Sequence, residues 1–125
     1  MKDVSTTINY KGKEYKLVFN LNVMELMQDE YGSIEKWGSL CEPTNDAHVE
    51  PDVKAIKFGF NAMLNEGIDI DNEENGTNNP LFTLKQVGRM ITDLGTRTAM
   101  NALNKTVIES SKSNEKNELS TTKMK

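Results

Sequence analysis

The sequence predicts an α+β fold that is mostly helical: an N-terminal β-hairpin packed on three to four helices, followed by a disordered C-terminal tail. Three observations carry this expectation. Apolar and polar residues alternate over the first twenty positions, the apolar period then lengthens to about 3.6, and hydrophobic residues become scarce beyond residue 109. A chain of 125 residues suits one domain, since domains commonly span about 100–150 residues. Residues 1–109 are expected to form that single α+β domain and 110–125 its polar tail.

Each element has a local reason. Ile8 and Tyr10 alternate with polar neighbours, Lys11-Gly12-Lys13 supplies turn residues, and Tyr15, Leu17 and Phe19 alternate again, so a hairpin with one apolar face is predicted. Two strands are barely stable alone, and that face must cover a helix or join another sheet. Asn20 or Asn22 then caps a helix with Val23, Leu26, Met27 and Tyr31 on one side and Gly32 at its end. A second helix starts at Ser33, with Glu35 in its first turn and Ile34, Trp37 and Leu40 facing inward.

Residues 41–50 read as a solvated loop. Pro51 fits the first turn of a third helix, in which Val53, Ile56, Phe60, Met63 and Leu64 form a stripe ended by Gly67; Phe58 lies off that line. Residues 68–80 show no period and are expected to be a loop. Thr83 and Gln86 form a capping box that opens a fourth helix, with Leu84, Val87, Met90, Ile91 and Leu94 on its apolar face. Gly95 either kinks this helix or separates it from a further one, which carries Ala99, Met100, Leu103 and Val107. From Ser110 onward the chain is too polar to offset the entropy of ordering.

Composition narrows the function classes. Net charge is −4 and the isoelectric point is near 5.0, which argues against nucleic acid as a partner because phosphate binding depends on clustered Lys and Arg. The two arginines, Arg89 and Arg97, fall about two turns apart on what reads as one helix, a spacing equally expected of a solvated face. No apolar run approaches the ~18 residues needed to cross a bilayer, and the first residues lack the apolar segment of a signal peptide. A cytoplasmic protein with no membrane partner is therefore expected. Cys41 is the single cysteine and has no intrachain disulfide partner.

Chemistry-bearing motifs are sparse, and neither enzymatic activity nor a cofactor is expected. Asp71, Glu73, Asn75 and Gly76 match positions one, three, five and six of a calcium loop, with Thr77 at seven. Position twelve, however, is Phe82 where a bidentate Glu is required. His48, the one histidine, sits in a polar loop with Asp46 and Glu50, without the Cys and His partners of a transition-metal site. Glu25, Asp29 and Glu30 share a helix at the spacing of any solvated face. Seven methionines remain; five of them (Met24, Met27, Met63, Met90 and Met100) lie on the helical stripes, filling the core or an adaptable groove for a partner segment.

The run Ile8-Asn9-Tyr10-Lys11-Gly12-Lys13-Glu14-Tyr15-Lys16-Leu17-Val18-Phe19-Asn20, followed by Val23-Met24-Glu25-Leu26-Met27 and Tyr31-Gly32-Ser33-Ile34, resembles the start of tail assembly chaperones of long-tailed bacteriophages and prophages. The likeness continues through 52–67 and 82–94 and rests on order and spacing. The asparagine-rich stretch at 69–80 and the Lys/Glu/Ser tail depart from the family pattern. The resemblance implies a chaperone acting in the cytoplasm of the bacterial host. It would coat the tape-measure protein, recruit tail-tube subunits and be absent from the finished particle. A homo-oligomer is compatible with it.

Tyr15, Trp37 and Phe58 are the candidate partner contacts, each equally claimed by the core. Two other functions are kept: a minor structural tail or connector subunit, suggested by the hairpin edge, and a small-molecule or metal-binding enzyme, suggested only by the carboxylates and His48.

Overall fold

The alternating segment forms strands β1 (Ser5–Tyr10) and β2 (Lys13–Val18) in the structure, a computed structural model that describes residues 5–42 and 51–123, with side chains described for 6–42 and 51–110. The strands pair antiparallel, with Thr6 opposite Leu17 and Ile8 opposite Tyr15. The turn is two residues rather than three: Lys11 (φ 51°) and Gly12 (φ 78°) both take positive φ, as a type I′ hairpin turn requires. Lys13 is thereby the first residue of β2.

Five helices follow among the described residues. Helix α1 (Leu21–Tyr31) is capped by Asn20, whose side chain accepts from the Val23 N–H, and ends at Gly32 with φ 89°. It buries Val23 and Met27, while Leu26, expected on the same stripe, is 48% exposed. Helix α2 (Ile34–Cys41) starts where the Ser33 hydroxyl accepts from the Lys36 N–H and buries Trp37 and Cys41. Residues 43–50, with His48, Asp46 and Glu50, lie outside the described residues.

Helix α3 (Val53–Asn75) differs most from the expectation. Asp52 is its N-cap, so Pro51 precedes the helix instead of occupying its first turn. Gly67 does not end it: the helix runs on through most of the expected loop and stops at Gly76, which adopts the left-handed conformation (φ 63°). The physical reason is packing. A Cβ at Gly67 would overlap the carbonyl oxygen of Lys16, so this glycine lets β2 lie directly against α3. Ile68 adds a buried side chain one turn after Leu64, and the Lys16–Asp71 ion pair at 3.3 Å ties the next turn to β2.

Helix α4 (Leu84–Leu94) opens with the predicted capping box: the Gln86 N–H donates to the Thr83 hydroxyl and the Thr83 N–H donates to the Gln86 side chain. Gly95 (φ 95°) separates it from α5 (Thr96–Lys123), so Arg89 and Arg97 belong to different helices and the single-helix arrangement does not hold. Contacts of α5 are described as far as Ser110, whose hydroxyl donates to the Phe19 carbonyl at 3.1 Å. The packed domain thus reaches one residue past the expected boundary at 109. The helical backbone continues to Lys123; the side chains of the expected disordered tail lie outside the described residues.

The core lies where β2 runs along α3, with α1 and α2 against one part of α3 and α4 and α5 completing it. Leu17, Met27, Phe60, Met63, Leu64, Met90 and Leu103 are fully buried, each worth roughly 1.5–3 kcal/mol of transfer free energy. Met27, Met63 and Met90 are thereby core residues, whereas Met24 and Met100 are half-buried. One buried polar atom has no partner among the described residues: the Thr6 hydroxyl. Valine has the same shape without the hydroxyl, so Thr6→Val is expected to raise stability by about 1 kcal/mol. The urea midpoint reads this directly; an unchanged or lower midpoint would mean that the hydroxyl finds a partner in solution.

Candidate protein-binding groove

The first two turns of α3 are exposed along one side among the described residues. Val53 is 65% exposed and Leu84, at the start of α4, is 48% exposed, although both were expected on inward stripes. Together with Phe58, Lys54, Lys57 and Glu30 they line an open trough of about 460 Å³. Its floor is α3, one wall is the end of α1, and the other is the start of α4.

Three local arrangements build the trough. The Phe58 ring stands edge-on to Tyr31, with centroids 5.4 Å apart, which fixes the α1 wall. On the opposite side the Asn61 and Asn65 side-chain amides both donate to the Phe82 carbonyl at 2.9 Å, and the Phe82 N–H donates to Asn65 Oδ1 at 2.8 Å. The chain entering α4 is therefore strapped to α3 one turn beyond Phe58. Lys57 spans the α3–α4 contact with its Cε and Nζ beside Gly88, where an added Cβ would sit 3.2 and 3.4 Å from them, and its side chain also lines the trough.

The three residues nominated from the sequence are not brought together. Phe58 lines the trough. Tyr15 stands edge-on to Phe82 (5.5 Å, 88°) in a separate cleft of about 230 Å³ between β2, the end of α3 and residues 79–82. Trp37 is only 4% exposed; its Nε1–H donates to the Ala55 carbonyl at 2.8 Å and its ring covers Gly59. The indole has thus spent its one donor inside the fold and presents no surface to a partner. Val53 and Leu84 were missed as contact residues because both fit a helical apolar stripe; no signal in the pattern separates an exposed stripe member from a buried one.

The calcium-loop match dissolves in the structure. Asp71, Glu73 and Asn75 are on the last turns of α3 rather than in a loop, and Asn72 organises the following residues: its Oδ1 accepts from the Thr77 hydroxyl and the Asn79 N–H, and its Nδ2 donates to the Asn79 carbonyl. Among the described residues no group of three or more His, Cys, Asp or Glu is placed to hold a metal ion, and no helix is long and apolar enough to cross a membrane.

Titratable groups displaced from their ordinary range favour their neutral forms. The Tyr10 hydroxyl donates to Asp93 at 2.8 Å, which raises its pKa, and burial does the same for Tyr31, assisted by Asp52 and Glu30. Burial, with help from Asp52 and Glu42, pushes the Cys41 thiol up to about 12. A thiol raised in the folded state and near 9 when unfolded contributes fully below pH 9 and loses that contribution as pH rises toward 12. Stability is therefore expected to fall above pH 9, with thiol-reagent labelling of the native protein slow at pH 8 and fast in denaturant. Rapid labelling without denaturant would show that α2 opens locally.

Comparison with protein-family models, with curated proteins and with solved structures finds no match to this chain.

Proposed function

We propose that this protein is a tail assembly chaperone of a long-tailed bacteriophage or prophage, a binding protein without catalytic activity that holds the tape-measure protein and brings tail-tube subunits to it in the host cytoplasm. The observation that carries a binding role is the exposed apolar trough on α3, lined by Val53, Phe58 and Leu84. Contiguous apolar surface of this kind marks contact sites for other polypeptides. The link to tail assembly rests on the sequence resemblance of the hairpin, α1 and the helix starts.

The test is co-expression of the full chain with the tape-measure protein of its own genome. Recovery of the tape-measure protein in soluble complex is expected, and Val53→Asp combined with Leu84→Asp is expected to reduce it by at least about tenfold, the factor that corresponds to about 1.4 kcal/mol. Failure of any tail protein to copurify would count against the chaperone role.

A structural subunit remains the second reading, supported by the free edge of β1. The pairing register turns the backbone groups of Thr7 and Asn9 outward, and among the described residues no other segment pairs with them. β2 has no such freedom, because α3 covers its outer edge at Lys16. Presence of the protein in purified tails would favour this reading.

A further inference from the structure

We infer that the trough on α3 docks a short amphipathic helix whose apolar face is bordered by Asp and Glu. The inference rests on the chaperone reading for the occupant being a protein segment; its chemistry comes from charge and shape at the site.

Charge is sorted along α3. Residues 53–60 hold Lys54 and Lys57 and no acid, whereas 66–74 hold Glu66, Asp69, Asp71, Glu73 and Glu74 and no base. The trough sits on the basic half. On α4, Lys85 and Arg89 follow Leu84 and Gly88 by one residue each, about 100° further round the helix on the exposed side of the trough wall. All three of Lys54, Lys85 and Arg89 are exposed, and neither they nor Lys57 form an ion pair among the described residues. Among the described residues the opposing acids are Glu30 on the rim and Asp52, whose carboxylate already accepts from the Ala55 N–H at 3.1 Å.

Two helices also begin here, α3 at Val53 and α4 at Leu84, so the positive ends of both helix dipoles meet at the trough. In a chain of net charge −4 this sets the apolar trough on the basic half of α3.

Shape limits the occupant. The floor extends from Val53 to the strap at Asn61, roughly 12 Å at about 1.5 Å per residue, room for about two turns of helix. Phe58 and Leu84 with Val53 offer apolar contact for side chains spaced i, i+3/i+4 and i+7; Lys54 and Lys57 line the trough beside them, and Lys85 and Arg89 are exposed on the solvent face of α4.

The test uses the full chain and two labelled synthetic helical peptides with the same Leu stripe, one flanked by Glu and the other by Lys, titrated by fluorescence anisotropy at low salt. The Glu peptide is expected to bind at least about tenfold more tightly than the Lys peptide, with the preference shrinking as salt screens the cations. Val53→Asp with Leu84→Asp is expected to weaken Glu-peptide binding by at least about tenfold; both positions are exposed first-turn sites where Asp suits the helix, and circular dichroism verifies the fold. Lys54→Glu with Lys85→Glu is expected to reverse the preference.

Equal affinity for the two peptides would overturn the inference, as would Glu-peptide binding unchanged by the Asp substitutions. So would failure of both peptides alongside a dimer of this chain that the same substitutions dissociate, which would make a second copy the occupant. Peptide discrimination without capture of any tail protein would leave this inference standing and remove the chaperone reading alone.

Discussion

Gly67→Ala is expected to destabilise the protein by about 2 kcal/mol, lowering the melting temperature by roughly 8 °C for a domain of this size. The sign is the informative part. In the interior of an exposed helix the same change stabilises by up to about 1 kcal/mol, because alanine loses less backbone entropy on folding than glycine. Here the added methyl meets the Lys16 carbonyl, a backbone atom that no rotamer change removes, and the whole of β2 must move away from α3. Gly88→Ala is the control: its nearest neighbour is the flexible end of Lys57 at 3.2 Å, so a change near neutral is expected. Chemical denaturation followed by circular dichroism reads both. Equal behaviour of the two variants would show that β2 does not press on α3 at Gly67.

Trp37→Ala is expected to cost about 3–5 kcal/mol, the range for removing a large buried aromatic side chain. Against a total stability of order 5–15 kcal/mol, this brings the domain close to unfolding. Trp37→Phe keeps most of the volume but loses the hydrogen bond to the Ala55 carbonyl, for an expected loss of about 1–2 kcal/mol. Phe58→Ala, at the half-exposed rim of the trough, should cost less than Trp37→Ala. The protein has one tryptophan, so the comparison is made by circular dichroism rather than fluorescence. A small effect of Trp37→Ala on stability with a large effect on partner capture would return Trp37 to the binding surface.

Local chemistry made much of the fold legible. Alternation over Ile8 to Phe19 specifies a hairpin because a strand's side chains have a period of two. Asn20, Ser33 and Thr83 mark helix starts because their side chains satisfy backbone N–H groups that a first turn leaves free. Gly32 and Gly95 mark ends at positive φ. Gly67 carries the same letter with a different cause, and here local reasoning failed: Ile68 continues the stripe of Phe60 and Leu64, but a glycine needed for close approach looks identical to one needed for a turn.

The candidate site was legible in kind and not in place. Phe58 stood apart because it lies off the apolar line of α3, and the structure puts it in the trough beside Tyr31. Val53 and Leu84 were assigned inward by their spacing, yet helical spacing says only which residues share a face, not whether another element covers that face along its full length. The bonds from Asn61 and Asn65 to Phe82 hold the start of α4 against the middle of α3, a contact between segments about twenty residues apart.

By itself the sequence determined the hairpin, the starts of α1, α2 and α4, and the acidic balance, because each of the local features depends on neighbours within a few residues. Tertiary structure decided that Gly67 lies inside a helix, that Trp37 is sealed on Gly59, and that Val53, Phe58 and Leu84 share an open surface. Those outcomes depend on which segments, distant along the chain, come within van der Waals contact, and no local pattern encodes that distance.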